Sequence, residues 1–360
     1  MTIPTNAVSF AMVASRGYIG HAAGLITNLR EFYPETEIIV CAQDEQTRRA
    51  FADCGDTNVT CATGQEVWGP ANWRNITSRM SVPERAFASK SALCAWAVET
   101  RERPVLLLDS DLLFLSAIDD VVETLTQHGL MLVPGRHPWQ DWRKTARFGL
   151  FSAGVIGIGP AGLRAAQAWR AMCFEACIAS PFAGTYYEQK YLDYFVSDPS
   201  LKILNDPGIN VSQTLLGVLT PEKGADGAWR VSDGTPLRMY HSSRSTDESI
   251  ELARMKADYN RRGLEAFGLD TAGSAPREER TGNRIGLAAL VRWMRIGGAL
   301  EALAHGLDGF TRRLLLWHRV LTLKDHSLRE RMAEAKRRHD LHRALEDRAF
   351  SAKAADPEAP

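Results

Sequence analysis

Apolar positions near the amino end of the chain switch between short unbroken runs and stretches with a helical period. Residues 8–15 and 37–42 read as strands, 18–32 and 45–54 as helices, and 59–62 as a short third strand. This alternation predicts a parallel sheet with right-handed crossovers. Residues 84–100 predict a helix that feeds the run Val-Leu-Leu-Leu-Asp-Ser-Asp-Leu-Leu-Phe-Leu at 105–115, read as one strand buried on both faces. Asp119 and Asp120 start a further helix, ended by Gly129, with its acids at the end the dipole favours. Strands follow at 130–133 and 154–158, helices at 162–178 and 186–196, a loop with Pro207 and Gly208 at 205–210, and a last strand at 237–240 that ends on His241. The segment 136–148 is too polar for core. Its Trp139 and Trp142 either meet a ligand or pin the loop to the body.

The acidic pair inside the most apolar run carries the chemistry. In open α/β sheets the ligand crevice lies beyond the carboxyl ends of the strands, which is where Asp109 and Asp111 fall. Two carboxylates side by side repel unless a cation or protons compensate. A hard divalent ion that also holds phosphate oxygens answers that need. The plainer alternative is that one Asp caps a turn and the other faces solvent. Gly20 and Gly24 lack the Gly-X-Gly-X-X-Gly spacing of a dinucleotide fingerprint.

Composition narrows the class. The 360 residues, 45% hydrophobic and 24% charged, suit one large or two smaller globular domains and exclude disorder of the whole chain. Zero formal net charge offers no global case for nucleic acid binding. Cys41, Cys54, Cys61, Cys94, Cys173 and Cys177 lack paired zinc spacing, and a reduced, cytoplasmic protein is expected. Neither a signal sequence nor an apolar run of membrane-spanning length is read.

Charge is unevenly distributed. Residues 277–348 carry 16 Lys and Arg against 10 Asp and Glu, whereas residues 1–276 carry 26 against 31. Four regions are expected: a catalytic α/β domain at 1–270, a linker at 271–284, a basic amphipathic helical extension at 285–350 and a disordered tail at 351–360. Trp293 with neighbouring Leu, Ile and Arg is the pattern of a helix lying on an anionic membrane surface, here through residues 277–350 on the inner face of the membrane. A helical subdomain packed on the body is the alternative.

With these residues in place the chain resembles the GT-A glycosyltransferases, over about residues 5–265. Leu107 to Phe114, with Asp109, Ser110 and Asp111, looks like the metal and donor motif. Phe151-Ser152-Ala153-Gly154-Val155 is similar to the donor-sugar strand, and Tyr187 to Leu192 to the Asp-Gln helix of the glycogenin-like, retaining branch. Met239-Tyr240-His241 resembles the late strand whose His completes the metal shell. Ser152 stands where Asn is usual and Glu188 where Asp is usual, and His241 lacks the following Gly and Lys-Pro-Trp.

The resemblance implies a mixed α/β sheet flanked by helices. It also implies Mn2+ or Mg2+ on Asp109, Asp111 and His241, and a nucleoside diphosphate sugar donor with a UDP-sugar favoured. Ala14, Ser15 and Arg16 would lie where the family seats the base, Lys90 in reach of donor phosphate or sugar, and Ser152, Ala153 and Gly154 along the donor sugar. Glu188 and Gln189 would lie near the anomeric carbon with Asp193 in reserve, and the acceptor would be a glycan, a lipid-linked molecule or a protein. Two other readings remain at this point. A haloacid-dehalogenase-like phosphatase would make Asp109 a nucleophile and Asp111 its acid, but a full α/β unit precedes the motif and no later acidic pair is evident. A non-catalytic GT-A-like binding or scaffold protein, anchored by the basic tail, is the other.

Overall fold

The computed structural model describes residues 7–269 except 53, 138–141, 181–184, 213–218 and 243–249. The chain divides into a unit Met1–Glu279 and a second, Arg280–Pro360. The expected linker, basic extension, membrane-facing segment and tail therefore lie outside the described residues, as do Trp139 and the side chain of Trp142.

The first half is built as the pattern predicts: β1 (Ser9–Ala14), α1 (Ile19–Phe32), β2 (Ile38–Ala42), α2 (Glu45–Ala52) and β3 (Val59–Thr63). Two short helices, α3 (Gly64–Trp68) and α4 (Pro70–Arg79), then lead into α5 (Val82–Arg101). α5 starts on a capping box in which Ser81 and Glu84 satisfy each other's backbone donors. After it come β4 (Val105–Leu108), β5 (Leu112–Phe114), α6 (Asp119–Gln127), β6 (Leu130–Pro134), α7 (Trp142–Phe148), β7 (Phe151–Ile158) and α8 (Leu163–Glu175). The chain continues through β8 (Ala179–Ser180), β9 (Thr185–Tyr186), a 3-10 helix (Gln189–Phe195), β10 (Leu201–Ile203) and β11 (Val211–Ser212). It closes with the hairpin β12 (Pro221–Lys223) and β13 (Trp229–Val231), β14 (Met239–His241) and α9 (Ile250–Ala266).

Seven strands form the main sheet in the order β10-β6-β7-β4-β1-β2-β3. The sheet is mixed and not all parallel, because β7 runs antiparallel to both β4 and β6. Apolar cores lie on both faces, which is why β1, β2 and β4 read as unbroken apolar runs.

Three local expectations are corrected. The run at 105–115 is two strands, since the chain leaves the main sheet at Asp109 and β5 joins a small sheet in the order β11-β14-β5. The segment expected as a helix at 186–196 begins as strand β9 and tightens into a 3-10 helix, with Tyr187 at φ +47° between them. Residues 142–148, expected as loop, form α7.

Candidate active site

The break between β4 and β5 builds the site. Asp109 N donates to Gly154 O at 2.9 Å, extending the β4–β7 ladder by one step, and Leu112 N donates back to Asp109 O at 3.1 Å. The tight turn that results points Asp109 and Asp111 toward the same space. β14 then pairs antiparallel with β5, setting His241 opposite Leu112, while Ser242 N donates to Asp111 O at 3.0 Å. This register brings His241 beside the acidic pair from about 130 residues away.

His241 Nε2 lies 3.0 Å from Asp111 Oδ1 and 3.7 Å from Asp109 Oδ2. One donor atom from each of the three residues falls within 4.8 Å of the others. Burial opposes the negative charge of Asp111, but His241 outweighs it and holds the carboxyl below its ordinary range. Burial likewise opposes protonation of His241, yet Asp111 and Asp109 hold the imidazole above its usual value. The two acids and the ring are mutually stabilised only with a positive charge between them, whether a proton or a cation.

A second cluster adjoins the first. Lys90 of α5, 8% exposed, places Nζ 2.6 Å from Asp109 Oδ1 and 2.9 Å from Glu188 Oε1, and donates to Ala153 O at 3.4 Å. Burial works against the ammonium, but the two carboxylates raise its affinity for the proton well above that of an ordinary lysine. Glu188, 3% exposed, is itself pushed upward by burial, with Lys90 opposing. Trp169 of α8 donates Nε1 to Glu188 O at 2.9 Å and fixes that backbone.

Between Leu132 and Val133 the β6–β7 register jumps, so that Ala153, Gly154 and Val155 have no β6 partner. Gln189 fills that gap: its Oε1 accepts from Ala153 N at 3.1 Å and its Nε2 donates to Phe148 O at 2.8 Å. Ser152, Ala153 and Gly154 thus lie beside Asn210, Lys90 and His241.

The remaining candidates make contacts of their own. Asp193 accepts from Leu150 N at 2.7 Å and pairs with Lys190 at 2.7 Å, so its carboxylate is committed to closing the turn at Gly149. Ala14, Ser15 and Arg16 end β1, where the backbone N–H of Arg16 donates to Asp44 Oδ2 at 2.7 Å. Asp109 spends one oxygen on Lys90 and faces His241 with the other, a poor arrangement for the phosphatase nucleophile.

Two residues escaped the sequence reading. Asn210 accepts from His241 Nδ1 at 2.9 Å and donates to Ser152 Oγ at 2.7 Å. Lys256 of α9, 1% exposed, donates to Ser110 O at 3.0 Å and His21 O at 3.2 Å, and burial, opposed by Asp111, lowers its pKa to about 7. The signal for Lys256 was available: it sits in the stripe Leu252, Lys256, Tyr259, Gly263, a charge at helical spacing among apolar and small residues. Asn210 stood in a Pro-Gly loop and offered no such signal.

No family model matches the chain. It is 23% identical over 247 residues to the uncharacterized protein YfnF of Bacillus subtilis (strain 168), a match spanning 65% of this chain and 80% of that one. Among solved structures it is similar to the galactosyltransferase LgtC, in complex with donor and acceptor sugar analogs, at 17% identity and a TM-score of 0.46, over 72% of this chain and 95% of that one. It is also similar to the glycosyltransferase GlyE of Streptococcus pneumoniae TIGR4, at 14% identity and a TM-score of 0.41, over 72% of this chain and 62% of that one. At these identities and scores, what this chain does has to be read from its own side chains.

Proposed function

We propose that the chain is a metal-dependent glycosyltransferase that moves a sugar from a nucleoside diphosphate sugar, a UDP-sugar in preference, to a glycan, lipid-linked or protein acceptor. The observation that carries this reading is the joining of two clusters through Asp109. One oxygen belongs to the Asp109, Asp111, His241 group and the other to the buried Lys90–Glu188 pair.

The charge balance supports a divalent ion. The carboxyl groups of Asp109, Asp111 and Glu188 outnumber the buried ammonium of Lys90 that pairs with two of them, an excess of acids that a cation would offset. Two carboxylate oxygens and one imidazole nitrogen suit Mn2+ better than Mg2+, which prefers an all-oxygen shell. When bound, the cation neutralises the charge that develops on the leaving diphosphate.

The protein groups then divide the remaining work. Asp109 and Asp111 orient the diphosphate end. Lys90 holds the Asp109 carboxylate in place beside the cluster while pairing with Glu188. Glu188, held against Lys90, would present its carboxyl group on the sugar side, suited when ionised to steadying an oxocarbenium-like centre. Gln189 holds the stretch of β7 that lacks a β6 partner. A retained anomeric configuration in the product would fit this role for Glu188. An inverted product by proton NMR would instead make Glu188 a base.

Attachment to the inner face of the membrane through residues 277–350 belongs to the same proposal. The test is release of nucleoside diphosphate by the purified full chain from a panel of UDP-, GDP- and dTDP-sugars with Mn2+. Turnover that chelator abolishes and Mn2+ restores is expected. Full turnover in excess chelator would rule out the metal role, and no turnover or thermal shift with any donor would rule out the donor class.

A further inference from the structure

We infer that Asn210 is the positioning residue of the metal group, fixing the ring of His241 with its Nε2 lone pair aimed between Asp109 and Asp111. The inference rests on reading those three residues as a cation site. The hydrogen-bond chain sets the direction. Ser152 Oγ accepts from Gly154 N at 3.3 Å and from Asn210 Nδ2 at 2.7 Å, which turns the amide oxygen toward the ring. That oxygen lies 2.9 Å from His241 Nδ1 and can only accept, so Nδ1 carries the hydrogen. In the neutral ring the lone pair then sits on Nε2, the atom 3.0 Å from Asp111 and 3.7 Å from Asp109. A ring-to-carbonyl bond behind a ligating imidazole is the usual means of fixing its tautomer and orientation.

The surroundings hold Asn210 in place from several sides. It is 4% exposed and adopts φ +58°, a conformation that Asn, Asp and Gly tolerate far better than other residues. Arg136 clamps the approach, donating from Nη1 to Ile209 O at 2.9 Å and from Nη2 to Asp206 O at 2.5 Å. β11, which follows Asn210 directly, pairs with β14 so that Ser212 lies beside His241. Space is reserved as well: a Cβ at Gly154 would come within 2.8 Å of Asn210 Oδ1 and 2.9 Å of His241 Cε1. Ser152, which departs from the Asn usual at its position, is thereby the anchor of this amide.

The test is Mn2+ affinity of the full chain, read from the signal of free Mn2+ by electron paramagnetic resonance, beside the melting temperature of each variant. Asn210→Gly removes the amide without straining the backbone, whereas Asn210→Asp keeps an acceptor facing Nδ1. The expected result is affinity about 10- to 100-fold weaker for Asn210→Gly, recovered by Asn210→Asp at a similar melting temperature. Mn2+ binding by Asn210→Gly equal to that of the unmodified chain, with Asp111→Ala and His241→Ala binding lost, would overturn the role of Asn210 and leave the metal reading standing. Mn2+ binding unaffected by Asp111→Ala and His241→Ala would overturn both. Equal weakening in Asn210→Gly and Asn210→Asp would also overturn it, since the acceptor would then not be what matters.

Discussion

Lys90 lies between two carboxylates with little access to water, and its removal leaves both without compensation. Breaking a buried pair by deleting one partner costs about 3–5 kcal/mol, whereas replacing both partners by neutral groups is often tolerated. Lys90→Met should therefore lower the urea midpoint sharply, and Lys90→Met with Glu188→Gln should recover a large part of the loss. A double variant no more stable than the single one would show that Lys90 and Glu188 are not energetically coupled. Asp111→Ala should abolish turnover with the fold intact, as judged by circular dichroism. Glu188→Gln should depress kcat more than it weakens donor binding, the pattern of a group that acts mainly in the transition state.

At the scale of elements, α9 is pressed against α1 almost backbone to backbone. A Cβ at Gly263 would lie 2.4 Å from the carbonyl carbon of Ala23, and one at Gly24 would lie 2.7 Å from the backbone nitrogen of Asn260. This closeness lets Lys256 reach the carbonyls of Ser110 and His21 from a helix that packs on α1. Overpacking of this kind costs about 1–3 kcal/mol. Gly263→Ala is expected to destabilise by that amount and also to weaken donor binding, because withdrawing α9 frees the loop at Ser110. Stability and donor thermal shift, measured on the same variant, test the two halves of this expectation separately. Gly17, with open space around it, supplies the control, and Gly17→Ala should change neither.

For the whole molecule, Lys256 supplies a pH signature. Its pKa falls from the ordinary 10.5 to about 7 on folding, so between those values the unfolded chain binds a proton that the folded chain does not. Stability from this group is complete above 10.5 and is lost as pH falls toward 7. Lys256→Met should flatten the rise in unfolding free energy across that window, and an unchanged slope would exclude Lys256 as its source. The basic region 277–348 carries a separate expectation. Each Lys or Arg near an anionic surface contributes about 1 kcal/mol, screened by salt. The full chain should co-sediment with anionic vesicles at low salt and be released at high salt, whereas a chain that stays in the supernatant at low salt would end the membrane proposal. Among the described residues no helix is long and apolar enough to cross a membrane.

Much of the frame was legible because it is written in short-range period. β1, β2 and β4 are largely apolar runs buried on both faces, α1 carries a helical spacing and α5 its own capping box. The proximity of Asp109 to Asp111 is likewise local, two residues apart at a strand end. What the tertiary structure decided depends on partners far away in the chain. The run at 105–115 breaks because Leu112 to Phe114 pair with β14 and not with the main sheet, and that choice of partner carries His241 to Asp111. β7 runs antiparallel because of where its neighbours lie, and Gln189 completes it from a 3-10 helix that periodicity read as an ordinary helix. Lys90, Glu188, Asn210 and Lys256 are polar residues of a kind normally left in water. They are buried here because each finds its acceptors or its opposite charge on another element, and a residue's own neighbours in sequence cannot specify such a match.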